Sequence, residues 1–205
     1  MPIELCQSRP PLAVRQFCMS AHKLILHPVV ADAAPASEPG LISALGEIGL
    51  LGTPFELDGR SHFQTGPAFL DHISFLGCSP SIELEPPAHA LEAAARCGGF
   101  CHLSLQSTTA APQLRLRNGH GPRCRKCRAD IDPALIPLQH GSMTCPQCGR
   151  VTTTAHLNWR QAGAYARIFL EIWGIHAHEA VPSDGLLDHL ATITGFDWGF
   201  FYIED

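Results

Sequence analysis

No stretch of the 205-residue chain reaches 18 uninterrupted apolar residues, which excludes a helix that spans a membrane. A basic excess is also missing. Lys and Arg total 14 against 19 Asp and Glu, for a formal charge of -5, which excludes a wholly basic nucleic-acid coat. The first thirty residues do not read as a secretory signal, because Arg15, His22, Lys23, His27 and Pro28 interrupt every apolar run there and no clean small-residue cleavage site follows. The expected compartment is therefore cytoplasmic. Sequence signatures of common catalysts are lacking too. There is no Gly-rich phosphate loop, no Gly-x-Ser-x-Gly elbow and no His-Glu-x-x-His. What is present is an ordinary globular composition, 45% apolar and 16% charged, enough to bury a core in one domain or two small ones.

The nine cysteines are the informative residues. Their odd number, in a chain without an export signal, argues against a disulfide framework. Four form two C-x-x-C pairs, Cys124-Arg-Lys-Cys127 and Cys145-Pro-Gln-Cys148. Two cysteines three apart can sit on one tight turn and aim both sulfurs at one ion. A second such turn, returned by a hairpin, completes a tetrahedral sulfur cage with bonds of about 2.3 Å. Gly149 can take the positive φ that such a turn often needs. A redox dithiol is the competing reading, but a thioredoxin-like motif would open a helix after a strand.

Residues 120–153 thus resemble a four-cysteine zinc ribbon, with Cys145-Pro-Gln-Cys148-Gly149 the best match. The first turn departs from the pattern, having Arg128 where the second has Gly149. The resemblance implies one structural Zn²⁺ on Cys124, Cys127, Cys145 and Cys148. Four thiolates leave no coordination place for a water, so such a site holds a fold rather than hydrolysing a substrate. Sirtuin deacylases also carry a four-cysteine module inserted in an α/β fold, but this chain lacks their nucleotide glycines and is short for them.

Charge is uneven around this segment. Arg115, Arg117, Arg123, Arg125, Lys126 and Arg128 occur within fourteen residues that contain no acid, and Arg150 follows. They can compensate the doubly negative cage, or contact phosphate or an acidic partner. Residues 115–150 have no Phe, Tyr or Trp, so the base stacking common in nucleic-acid ribbons is not expected from that segment.

The remaining pattern predicts an α/β or α+β fold, a small mixed sheet with flanking helices. Residues 1–40 read as an N-terminal segment ending in an Ala/Pro-rich linker, 41–118 as a first α/β half, 119–155 as the inserted ribbon, and 156–205 as a second αβαβ half. Strands are expected at 24–30, 81–84, 100–105, 113–117, 175–181 and 197–203. Helices are expected at 41–51, 67–76 (capped by Thr65), 88–97, 158–173 and 184–194. Glu47-Ile48 with Leu70-Asp71-His72-Ile73, and Glu171-Ile172 with Leu187-Asp188-His189-Leu190, suggest an internal duplication.

Two weaker constellations accompany the cysteines. His176 and His178 would alternate on one face of a strand, a spacing able to grip a second metal ion, with His72 or His189 joining from helices. Cys97, Cys101 and His102 lie close in sequence, although adjacent strand residues face opposite ways, and a buried structural cysteine is the commoner outcome. The leading expectation is a non-catalytic protein-interaction or scaffold role with a protein partner. Nucleic-acid binding through the 115–128 cations, and a metal-dependent enzyme using His176 and His178, are the alternatives.

Overall fold

Alternation with period two, rather than helical periodicity, organises most of the chain. The computed structural model describes residues 22–34, 37–77, 82–117, 119–137 and 141–204. In chain order its elements are β1 (His22–Pro28), α1 (Glu38–Glu47), β2 (Leu51–Leu57), β3 (Arg60–Thr65), α2 (Phe69–His72), β4 (Ile73–Phe75), α3 (Leu91–Arg96), β5 (His102–Ser107), β6 (Gln113–Leu116), β7 (Ser142–Thr144), β8 (Val151–Thr153), β9 (Gly163–Ala166), β10 (Ile168–Trp173), β11 (Ala180–Pro182), α4 (Asp184–Thr194) and β12 (Trp198–Glu204). Expectations for residues 1–21, and for Ser81 at the start of an expected strand, lie outside the described residues. No helix is long and apolar enough to cross a membrane.

Six strands form one sheet in the order β12-β1-β10-β5-β3-β2, and every pairing in it is antiparallel. The fold is α+β. Strand β1 sits inside this sheet, between β12 and β10, so residues 22–28 are central to it. One face carries Leu24, Leu26, Leu103, Ile168, Leu170 and Ile172, and α1 and α4 cover it with Leu41, Leu45, Leu186 and Leu190. Ser37 caps α1, its side chain accepting from the Gly40 N–H. Ser183 caps α4 by accepting from the Leu186 N–H, and Gly195 ends that helix in the left-handed region at φ 80°. Both α4 signals were readable in the sequence.

Residues 158–173 are the main correction. Helical spacing predicts Ala162, Tyr165, Phe169, Ile172 and Trp173 on one face, but the segment is two strands, β9 and β10. Ile168, Leu170 and Ile172 enter the helix-covered core, while Phe169, Glu171 and Trp173 alternate to the other face. A central strand is apolar on both sides, and such a run satisfies helical spacing by accident. Gly174 does adopt a positive φ, 80°, but it ends a strand rather than a helix. The duplication fails at the same place, since Glu47 closes α1 whereas Glu171 lies within β10.

Three smaller corrections follow. The helix expected at 67–76 is the single turn α2, after which Ile73–Phe75 pairs with β11. Thr65 does not cap it; its hydroxyl donates to the Leu84 carbonyl from the end of β3. The strand expected at 175–181 is confined to β11, and residues 177–179 form a turn.

Candidate metal centre

The chain leaves the six-stranded sheet after β5 and returns to it at β10, and in between β6 and β9 pair as a separate two-stranded sheet, Gln113 to Ala166 through Leu116 to Gly163. Everything between them is thus hung from one two-stranded base. Within this excursion the two C-x-x-C turns are built alike. The Cys124 N–H donates to the Ala129 carbonyl (2.9 Å) and the Arg128 N–H to the Cys124 carbonyl (2.9 Å); the Cys145 N–H donates to Arg150 (2.9 Å) and Gly149 to Cys145 (3.0 Å). Strands β7 and β8 close the second turn as a hairpin. The first is closed by a bridge between Arg123 and Asp130, and Arg123 also exchanges backbone hydrogen bonds with Asn158. Asn158, the first residue of the helix expected at 158–173, is this anchor instead.

The four sulfurs all lie within 4.8 Å of one another. Cys124 Sγ is 3.9 Å from Cys148 Sγ, and Cys127 Sγ is 3.7 Å from Cys145 Sγ. A tetrahedron with metal–sulfur bonds of about 2.3 Å has edges of about 3.8 Å, so the cage has the dimensions a zinc ion needs. The backbone N–H groups of Cys127 and Lys126 point at Cys124 and bring its thiol down to about 6, which favours the thiolate that binds metal. Among the described residues this is the one place where three or more Cys, His, Asp or Glu ligand atoms gather so closely.

A small core supports the cage. Cys124 and Cys145 are buried with Ala31, Ile131, Ile136, Leu157 and Tyr165. The Trp159 indole donates to the Thr154 carbonyl (3.1 Å), and the Tyr165 hydroxyl donates to the Pro137 carbonyl. A Cβ on Gly121 would collide with the Ile131 carbonyl, so only glycine fits there.

Symmetry of the two turns has a cost at one position. Arg128 adopts φ 60° and Gly149 φ 67°. A left-handed conformation costs a non-glycine residue about 1–2 kcal/mol, partly offset by the freedom a glycine loses on folding. Arg128→Gly should therefore raise stability by up to about 1 kcal/mol in metal-loaded protein, and Gly149→Ala should lower it, both measured by urea unfolding.

The basic residues separate into two groups. Arg115 meets Gln106 (2.5 Å) and Glu171 (3.7 Å), Arg117 meets Glu204 (2.5 Å), and Arg123 meets Asp130 (2.8 Å). Arg125, Lys126, Arg128 and Arg150 are exposed around the two turns and make no ion pair among the described residues.

The histidine pair is not arranged as expected. His176 and His178 lie in the 175–179 stretch, not on a strand, and His178 has φ 64°. The His176 ring packs on His22 with centroids 3.9 Å apart, while His178 packs on Tyr202. His72 is held by the Ile48 carbonyl at 3.0 Å. Cys101 and His102 do face opposite ways. Cys101 lies in the helix-covered core, where burial pushes its thiol up to about 12, too high for a nucleophile at neutral pH. Cys97 is disulfide-bonded, while Cys101 and the four cage cysteines are free thiols.

Sequence reading missed a buried polar row on the second sheet face. Lys23, Glu171, His102, Ser104 and His62, from four neighbouring strands, are all buried there. Lys23 Nζ stands 3.8 Å above the Trp173 ring, which stacks on His102, and His102 lies 5.2 Å from His62. The only signal available was alternation in β10 and β5, and it was hidden once β10 was read as helix. Comparison of the chain with protein-family models, curated proteins and solved structures finds no match.

Proposed function

We propose that this is a zinc protein whose single ion, held by Cys124, Cys127, Cys145 and Cys148, is structural, and whose role is non-catalytic, as an accessory or scaffold that docks an acidic partner. The observation that carries the reading is the sulfur cage. Four sulfurs at tetrahedral spacing fill the coordination sphere and leave no site for a substrate. The docking surface is the exposed rim of Arg125, Lys126, Arg128 and Arg150, which carries charge beyond what the internal ion pairs neutralise. Metal analysis of purified protein should give one zinc per chain. An acidic partner recovered at fixed stoichiometry should be lost on Arg125→Glu with Lys126→Glu, and a zinc content near zero would overturn the reading.

A second reading, binding to the phosphates of a nucleic acid, is favoured by a specific feature. A hollow lined by Cys124, Arg125, Lys126, Arg150, Thr152 and His156 has no Asp or Glu on its wall. Retention on RNA that weakens steeply with salt and disappears in the same double variant supports it, whereas retention unchanged by that variant counts against it.

A further inference from the structure

A second concavity opens beside that hollow, between the cysteine module and the β1–β12 edge of the sheet. Its volume is about 370 Å³, the size of a small-molecule site. Its wall is aromatic, with Trp159, Tyr165, Trp198 and Phe200, and includes His27 and Arg125. Tyr165 and Trp198 are nearly buried, whereas Trp159 and Phe200 remain half-exposed. Both indole N–H groups are already engaged, Trp159 with the Thr154 carbonyl and Trp198 with the Thr194 hydroxyl at 3.0 Å. Trp198 and Phe200 belong to the helix-covered face of β12, opposite Gly199 and His27, so it is Trp159 that offers π surface on the His27 side, with its indole N–H already engaged.

Arg125 lines both the aromatic cleft and the cationic hollow, so the two lie side by side at this residue. Neither wall has an Asp or Glu. The aromatics missing from residues 115–150 are thus brought to the cations by the fold, from β9, β12 and the segment before β9. A ligand that satisfies both halves has a flat ring for the first and a multiply charged anion for the second.

His27 narrows the choice. Its Nδ1 lies 2.8 Å from the Pro28 carbonyl, which can only accept, so Nδ1 carries the proton and Nε2 is an acceptor. Burial keeps the ring neutral at neutral pH, with its pKa lowered to about 4. A ring carrying its own N–H donors matches that acceptor, as a nucleobase does. An aromatic side chain with an acidic group has no donor at the ring edge.

We infer that the cleft between the cysteine module and the sheet binds a nucleotide unit, with the base between Trp159 and His27 and the phosphate on Arg125, Lys126 and Arg150. This rests on the second reading above and adds to it a base pocket. The unit can be a free nucleotide or one residue of a single strand.

Gly199 supplies a specific plug. It pairs with His27 across β1 and β12, and a Cβ there would lie 3.6 Å from His27 Nε2, an ordinary contact with no backbone strain. Gly199→Leu extends that side chain into the cleft. Two of the three tryptophans line the cleft, so their fluorescence reports occupancy. Zinc-loaded full-length protein is titrated with inorganic phosphate, adenosine and uridine monophosphates, an eight-nucleotide RNA and an acidic peptide. Saturable quenching by the monophosphates or the RNA is expected, with at least tenfold weaker binding in Gly199→Leu. The exposed double variant Arg125→Glu with Lys126→Glu should show a similar loss, and it does not depend on the cleft accepting a larger side chain. Monophosphates binding as tightly as the RNA identify a free nucleotide, and affinity only for the RNA identifies a strand. RNA binding that is lost in the double variant but unchanged in Gly199→Leu leaves the phosphate reading standing and overturns the base pocket. Absence of binding to any nucleotide or RNA, or preference for the acidic peptide, overturns both.

Discussion

Removing the ion, by chelation or by Cys145→Ser, should unfold the cysteine module while the six-stranded sheet persists. The module's buried cluster is small. Apart from two of the cysteines themselves it has Ala31, Ile131, Ile136, Leu157 and Tyr165. Three large aliphatics are a small core for the stretch from Gly121 to Asn158, so metal coordination carries much of its stability. For structural zinc sites it supplies roughly 10 kcal/mol or more. Cys145 is buried and tied into the β7–β8 hairpin, so its loss removes a ligand and disturbs the cluster together. The sheet has an independent core under α1 and α4 that shares no residue with the module's cluster. Limited proteolysis should then cut within residues 119–160 of the metal-free protein, and the far-UV signal of the sheet should remain. A metal-free protein that resists cleavage there would show that the cage does not hold the module.

What could be read from the sequence divides by the range of the interactions involved. The cysteine turns are local objects; four residues and a following left-handed position define each, and C-x-x-C with Gly149 records them. Helix α4 is similar, because Ser183 and Gly195 mark its ends within its own neighbourhood. The large sheet depends on pairings between strands far apart in sequence, such as β1 with β10 and β12. Ile168 to Trp173 shows the limit. Taken alone its spacing fits a helix, and only β1 on one side and β5 on the other make it a strand. The same limit hid both the buried polar row and the aromatic cleft. Trp159 and Trp198 are thirty-nine residues apart and meet only after β9 and β12 have been placed.

Acidification should destabilise the sheet well before its carboxylates titrate. His102 is fully buried and His27 partly so, and burial pushes both to about 4 from the ordinary 6.5. Burial lowers His62 too, helped by the charge of Arg60. His62 and Lys23 face His102, and both add to the lowering. A histidine with a folded pKa below its unfolded value binds fewer protons when folded. Stability therefore rises with pH between the two values, is lost as pH falls from about 6.5 towards 4, and changes no further below that. For the fully buried His102 ring the fall from 6.5 to about 4 corresponds to about 3 kcal/mol. Asp58, Asp130 and Glu204, held below the ordinary carboxylate range chiefly by hydrogen bonds from Arg96, Arg123 and Arg117, lose their contribution only at lower pH. The cysteine cage also releases its ion on acidification, so the informative quantity is a difference between two proteins that share it. His102→Phe keeps a flat ring against Trp173 and Phe100, removes the titration, and gives up the hydrogen bond to the Phe100 carbonyl. At pH 7.5 the variant should be somewhat less stable than wild type. By pH 4.5 the order should reverse by about 1–2 kcal/mol in urea unfolding, because wild type alone must keep His102 neutral. Parallel stability curves across that range would show that His102 is not held neutral by the fold, and that the polar row is open to water.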